Sequence, residues 1–161
     1  MTRLHTYDTV VTWTGDRGTG TSGYRAYSRD HDLHAQGRTP IAGSSDPAFR
    51  GDDTRWNPEQ LLVGSLSQCH MLWYLHLCAE NGVTVTAYTD HATGTMAETG
   101  DGGQFTEVTL HPHVTVTSPD MTETATRLHA EAHRACFIAR SVNFPVRHAP
   151  TLTLAHTHQQ A

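Results

Sequence analysis

Three cysteines and thirteen histidines are the side chains of widest chemical range in this 161-residue sequence. Cys69 stands in Leu66-Ser67-Gln68-Cys69-His70, Cys78 lies nine residues further on, and Cys136 closes Ala132-His133-Arg134-Ala135-Cys136. By composition, three thiols are as readily small buried hydrophobes as reactive groups. An odd and low count in a chain this long does not make a disulfide framework. The sharper reading is that one or two of them do redox or nucleophilic chemistry. That work needs a thiolate, and a cysteine in the middle of a helix gains nothing from the N-terminal dipole. A neighbouring arginine is the natural substitute.

The imidazoles offer a second chemistry. His129 and His133 are one helical turn apart, a zinc-ligand spacing, with Cys136 three residues further on nearly the same face. His111 and His113 point the same way along a strand. The glutamate of His129-Ala130-Glu131-Ala132-His133 is misplaced for H-E-x-x-H, so a metalloprotease is not supported. A pair at this spacing arises readily by chance among so many histidines, and neither a metal nor a cofactor is expected.

The elements that must hold these residues are legible to different degrees. Asn57-Pro58-Glu59-Gln60 starts a helix, with Asn as N-cap, Pro at the first turn and Gln reaching back. The apolar run from Leu61 to Leu77 covers most faces, and Asn81-Gly82 ends it, so this helix is expected to be central and buried. Gly64, Ser65 and Ser67 would permit close helix contact. Before it, His5 to Trp13 and Thr19 to Ala35 read as strands around a Gly15–Gly18 turn, and Gln36 to Arg55 reads as a long loop. After it, Val83 to Met96 and Phe105 to Thr117 alternate as strands about Gly100-Asp101-Gly102-Gly103. Ser118-Pro119-Asp120 opens a second helix that bends near Cys136, and Thr151 to His156 reads as a final strand. The expected order is β-β-α-β-β-α-β, an α+β fold with two helices packed on antiparallel sheets.

Length fits one domain over residues 1–161. A net charge of −5 argues against a nucleic-acid partner, since a phosphate backbone would be repelled. The N-terminus lacks the apolar region of a secretory signal, and the longest apolar stretch is too short to span a membrane. The expected location is therefore cytoplasmic.

Asn57-Pro58-Glu59-Gln60-Leu61-Leu62 followed by Cys69 resembles the N-P-E-x-L…C signature of the OsmC/Ohr family. Ala132-His133-Arg134-Ala135-Cys136 resembles that family's A-H-x-x-C motif, and the Trp13-Thr14-Gly15 turn is similar to its first hairpin. The resemblance runs over nearly the whole chain in the right order. It implies a peroxidase of organic hydroperoxides in oxidative-stress defence. Cys69 would attack the O–O bond and become a sulfenic acid, and Cys136 would condense with it to a disulfide. A thiol reductant (a dihydrolipoyl protein, thioredoxin or a small thiol) would then reopen the pair. Glu59 matches the family's glutamate, which holds an arginine over the reactive sulfur. For that arginine Arg50 ranks first, then Arg17, then Arg55.

Helix geometry adds a constraint. Glu59 and Cys69 are about 15 Å apart along one helix axis and point about 80° apart around it. Two copies packed antiparallel about a two-fold axis would bring Glu59 of one chain toward Cys69 of the other. The expected unit is an intertwined homodimer with a shared active site. Cys78 matches no motif and reads as core. His70, and Phe137-Ile138 after the second cysteine, depart from the common family pattern and point to a divergent branch. Two other classes compete: a His/Cys metal-binding protein, and a non-catalytic dimer holding an apolar ligand among Phe49, Trp56, Trp73 and Phe137.

Overall fold

The computed structural model describes residues 2–100 and 102–155. They divide into two compact units, Met1–Leu61 and Leu62–Ala161.

In the first unit β1 (Val10–Trp13), β2 (His31–His34) and β3 (Ile41–Gly43) form an antiparallel sheet in that order. The strands are shorter than their composition predicts. Between β1 and β2 the chain turns instead of pairing, because Asp16 accepts the backbone N–H groups of Gly18 and Gly20 at 2.8 and 2.9 Å. A Cβ on Gly15 would lie 2.0 Å from the Ser28 carbonyl oxygen, so only glycine fits that crossing. The expected loop from Gln36 to Arg55 contains β3 and a 3-10 turn at Pro47–Phe49, capped by the Asp46 carboxylate. Ser44 ties this segment together, donating to Asp30 and accepting from the Asp52 N–H, both at 3.1 Å.

Helix α1 runs from Pro58 to Glu80. Its start is the reciprocal cap the sequence predicts: Asn57 Oδ1 accepts the Gln60 N–H at 2.8 Å, and Gln60 Oε1 accepts the Asn57 N–H at 3.2 Å. Gly82, at φ 69°, turns the chain out of the helix.

In the second unit β4 (Val85–Asp90), β5 (Thr93–Thr99), β6 (Gly102–Leu110), β7 (Pro112–Val116), α2 (Thr122–Ala135), β8 (Val146–His148) and β9 (Thr151–Leu154) follow α1. Two three-stranded sheets result, ordered β4-β7-β9 and β5-β6-β8. Each expected long strand is broken at a histidine or its neighbour. Asp90 is the cause: Oδ2 accepts the Ser67 hydroxyl at 2.5 Å and Oδ1 accepts the His111 N–H at 2.7 Å. One carboxylate thus ties α1 to both strand breaks. The α+β class stands, but the sheets are mixed and not antiparallel throughout: β6 pairs parallel with β8, and β7 parallel with β9. The β6–β8 pairing uses a strand the sequence reading missed, the three residues of β8, while β9 is the expected last strand, paired parallel with β7. Asp101 of the β5–β6 turn and His156 of the expected last strand lie outside the described residues.

Two buried clusters fill this unit. One gathers Tyr74, Cys78, Val83, Val114, Val116, Ala125, Leu128 and Ala132; the other gathers Leu66, Val108 and Leu110. Because the N-cap satisfies an otherwise orphaned N–H, Asn57→Ala should lower unfolding stability by about 1 kcal/mol, measured by urea denaturation.

Candidate functional site

Helix α1 turns Leu66, His70, Tyr74 and Cys78 inward at four-residue spacing, and all four are buried. Helix α2 answers with Ala125, Leu128, His129 and Ala132. The contact includes a hydrogen bond between two imidazoles, His70 Nε2 to His129 Nδ1 at 3.0 Å, with ring planes 8° apart. Tyr74 stacks on His129 at 3.8 Å between ring centres. His148, at the end of β8, lies 5.5 Å from both His70 and His133 by ring centres. Four imidazoles from three elements therefore form one array. His70 Nδ1, His129 Nε2, His133 Nδ1 and His148 Nδ1 are all buried without a partner.

The rotation that buries His70 leaves Cys69 about 100° around the helix, half-buried. Cys136 caps α2, its N–H held by the carbonyls of Ala132 at 2.9 Å and His133 at 3.3 Å. There its thiol lies against that of Cys69, and the two are unbridged. Burial first, then the neighbouring Cys69 sulfur, pushes the Cys136 thiol up to about 11, so it keeps its proton at neutral pH. Its sulfur accepts the Ala139 N–H at 3.4 Å. Cys78 is apart from this pair, buried beside the Tyr74 hydroxyl with its thiol pushed up by burial. That agrees with its reading as core.

An apolar surface adjoins the two sulfurs. Leu72, Trp73 and His76, on the turns after Cys69, line a cleft of about 330 Å³. Phe137, the residue after Cys136, is exposed and meets the Trp73 ring edge-on at 5.5 Å. Two of the four aromatics expected around an apolar ligand thus meet here. Phe49 and Trp56 belong to the first unit, both partly exposed.

The glutamate and arginine candidates also lie in the first unit. Glu59 is on the first turn of α1, and its Oε2 is buried with no partner. Arg55 is engaged, 3.7 Å from the Asp32 carboxylate and donating to the His31 carbonyl at 3.4 Å. Arg50 is exposed in a left-handed conformation (φ 66°), its guanidinium 5.9 Å from the Tyr24 ring centre. Arg17 is exposed in the first turn. The sequence reading passed over Arg29, which packs on Tyr24 and Tyr27 at 4.5 and 4.3 Å and keeps a buried Nη2 without a partner. It also passed over the histidine array. The four-residue spacings of His70 with Tyr74 and of His129 with His133 carried that signal, while nothing near His148 did.

Among the described residues no three His, Cys, Asp or Glu side chains are grouped as they would be to hold a metal ion. His113, one of the residues raised for a metal, is exposed and hydrogen-bonded to Thr151 at 2.9 Å. No described helix is long and apolar enough to cross a membrane.

A half-buried thiol on a long helix, set against a second thiol at the end of a shorter one over mixed sheets, defines an α+β dithiol protein. Residues 51–150 match the OsmC family of OsmC-like proteins, and the chain belongs to that family. It is similar to an OsmC-like protein of unknown function from Vibrio cholerae, at 30% identity and TM-score 0.83, over 92% of this chain and 100% of that one. An organic hydroperoxide resistance protein from Elizabethkingia anophelis has TM-score 0.68 at 18% identity, over 96% of this chain and 100% of that one. Another from Legionella pneumophila has TM-score 0.65 at 16% identity, over 94% and 99%. At those two identities the likeness is one of fold. No curated protein matches the sequence.

The buried imidazoles make stability depend on pH. Burial, then the other rings, lowers His70 to about 4 and His129 to about 3. In the unfolded chain both take up protons near pH 6.5. The stabilisation of the neutral pair is thus fully present above pH 6.5 and is lost as pH falls toward 4, by up to about 1.4 kcal/mol per pH unit for each ring. Urea denaturation at pH 7 and pH 5 should differ by about 2–4 kcal/mol. His129→Leu should remove roughly half of that difference.

Proposed function

We propose that this protein is a thiol peroxidase that reduces organic hydroperoxides to alcohols in oxidative-stress defence. The observation that carries this reading is the meeting of Cys69 and Cys136, one half-buried and one holding its proton. The Cys69 thiolate attacks the distal peroxide oxygen, the O–O bond breaks, and the alcohol leaves, so Cys69 becomes a sulfenic acid. Cys136, the donor at its side, condenses with it to a disulfide and water leaves. A thiol reductant of the dihydrolipoyl, thioredoxin or small-molecule kind returns both cysteines to thiols. The Leu72–Trp73–His76 cleft and Phe137 favour an alkyl or lipid chain on the peroxide over hydrogen peroxide. The names of the fold's relatives among hydroperoxide resistance proteins support the same reaction class.

The unit of activity in this reading is a homodimer. Glu59 has an unpartnered buried carboxylate oxygen and stands too far along α1 to serve its own Cys69. In an antiparallel pair it would orient an arginine at the other chain's sulfur. Arg50, Arg17 and Arg55 remain the candidates by sequence. Arg29 joins them on its unpartnered nitrogen, and the ion pair with Asp32 counts against Arg55.

One equivalent of tert-butyl hydroperoxide should consume two thiols per chain. Cys69→Ser should abolish that loss. Cys136→Ser should stop at a sulfenic acid trapped by dimedone, and Cys78→Ser should behave as wild type. No thiol loss in the wild-type protein would favour a non-catalytic apolar-ligand dimer. Full activity in a monomer obtained by dilution, checked by analytical ultracentrifugation, would rule out the shared site.

A further inference from the structure

The condensation of Cys136 with a Cys69 sulfenic acid requires the Cys136 proton to leave. Burial is the largest influence holding that proton. The other groups at the Cys136 sulfur are the Cys69 sulfur and the N–H groups of Ile138 and Ala139, which donate and cannot accept a proton. A base must come from elsewhere.

Side chains one turn apart on a helix are neighbours, with Cβ atoms about 5–6 Å apart. One turn before Cys136 stands His133, whose carbonyl accepts the Cys136 N–H. Its ring is half-buried, its Nδ1 has no partner, and His148 packs against it. The other rings of the array are less suited. His70 and His129 are committed to each other by their hydrogen bond, and His148 comes from β8, outside the helix that carries Cys136. We propose that His133 accepts the Cys136 proton during disulfide formation and returns it to the departing oxygen, with His148 as the positioning residue that holds its ring. The inference rests on the peroxidase reading above.

The step balances without a further reactant. The Cys136 sulfur pair forms the S–S bond to Cys69, the S–O bond breaks with its electrons on oxygen, and the hydroxide takes the proton carried by His133 to leave as water. The groups that face the array and set its charge are Tyr74 from α1, His133 itself from α2 and His148 from β8. The influences on His70, His129 and His148 are burial and the other rings of the array, His133 among them, with no carboxylate. His133 Nδ1, buried without a hydrogen-bond partner, is a ring nitrogen free to take up a proton.

Single-turnover stopped-flow with tert-butyl hydroperoxide separates sulfenic acid formation from disulfide closure. In His133→Gln the sulfenic acid should still form and be trapped by dimedone. Disulfide closure at pH 7 should slow about 100-fold, the loss expected for a general base. The deficit should shrink as pH rises toward 11, and added imidazole should restore part of the rate. His148→Gln should give a smaller loss that imidazole does not restore. Closure in His133→Gln at the wild-type rate across the pH range overturns the proposal. If that variant does not fold by circular dichroism, His133→Asn takes its place, with slowed closure restored by imidazole supporting the proposal and wild-type closure overturning it. A wild-type protein that loses no thiols overturns the peroxidase reading and this inference together. Normal closure in both proteins overturns this inference alone.

Discussion

The hydrogen bond between His70 and His129 sets the relation of α1 to α2, and the two sulfurs depend on it. A helix rotates as a unit, so fixing one ring at 3.0 Å from its partner fixes every side chain of α1 about the axis. With His70 inward, Tyr74 and Cys78 follow it into the core and Cys69 emerges at the edge. A rotation by one residue would exchange those roles, burying Cys69 and presenting His70. The pairing on α2 has the same effect at its far end, where the helix stops and Cys136 turns back. The thiol pair is therefore a consequence of how the imidazoles pack.

The start of α1 was readable from residues 57–60 because a cap is a local interaction, complete within one turn. Gly82 at its end was readable for the same reason. The β-sheets were less so. Thr and Tyr between β1 and β2 look like strand residues, but the Asp16 carboxylate offers that backbone a better partner in a turn. The breaks at His91 and His111 follow from Asp90 bonding across more than twenty residues, which no local pattern encodes. The parallel β6–β8 pairing depends on β8, three residues after a proline with no room for an alternation to show.

The site divides in the same way. The meeting of Cys69 and Cys136 was legible because each sits in a short motif of fixed spacing. The histidine array was not, since its members are 59 residues apart at the central hydrogen bond. His70 looked like a departure from a family pattern, and the structure shows the partner that explains it. Arg29 was hidden for a different reason. Its distinction is an unpartnered nitrogen stacked over two tyrosines, and sequence shows neither the burial nor the stacking.

The array is also a poor way to fill a core. Each buried ring nitrogen without a partner costs about 1–3 kcal/mol, and leucines of similar volume at these positions would avoid that cost. Ala125, Leu128 and Ala132 on α2 show that apolar packing serves the same interface well. What apolar residues cannot supply is a ring nitrogen such as His133 Nδ1, one turn from a thiol that holds its proton. Burial and the neighbouring rings lower the basicity of His70, His129 and His148, at the expense of stability in acid. The proposed proton transfer from Cys136 to His133 would give that expense a purpose that packing alone does not.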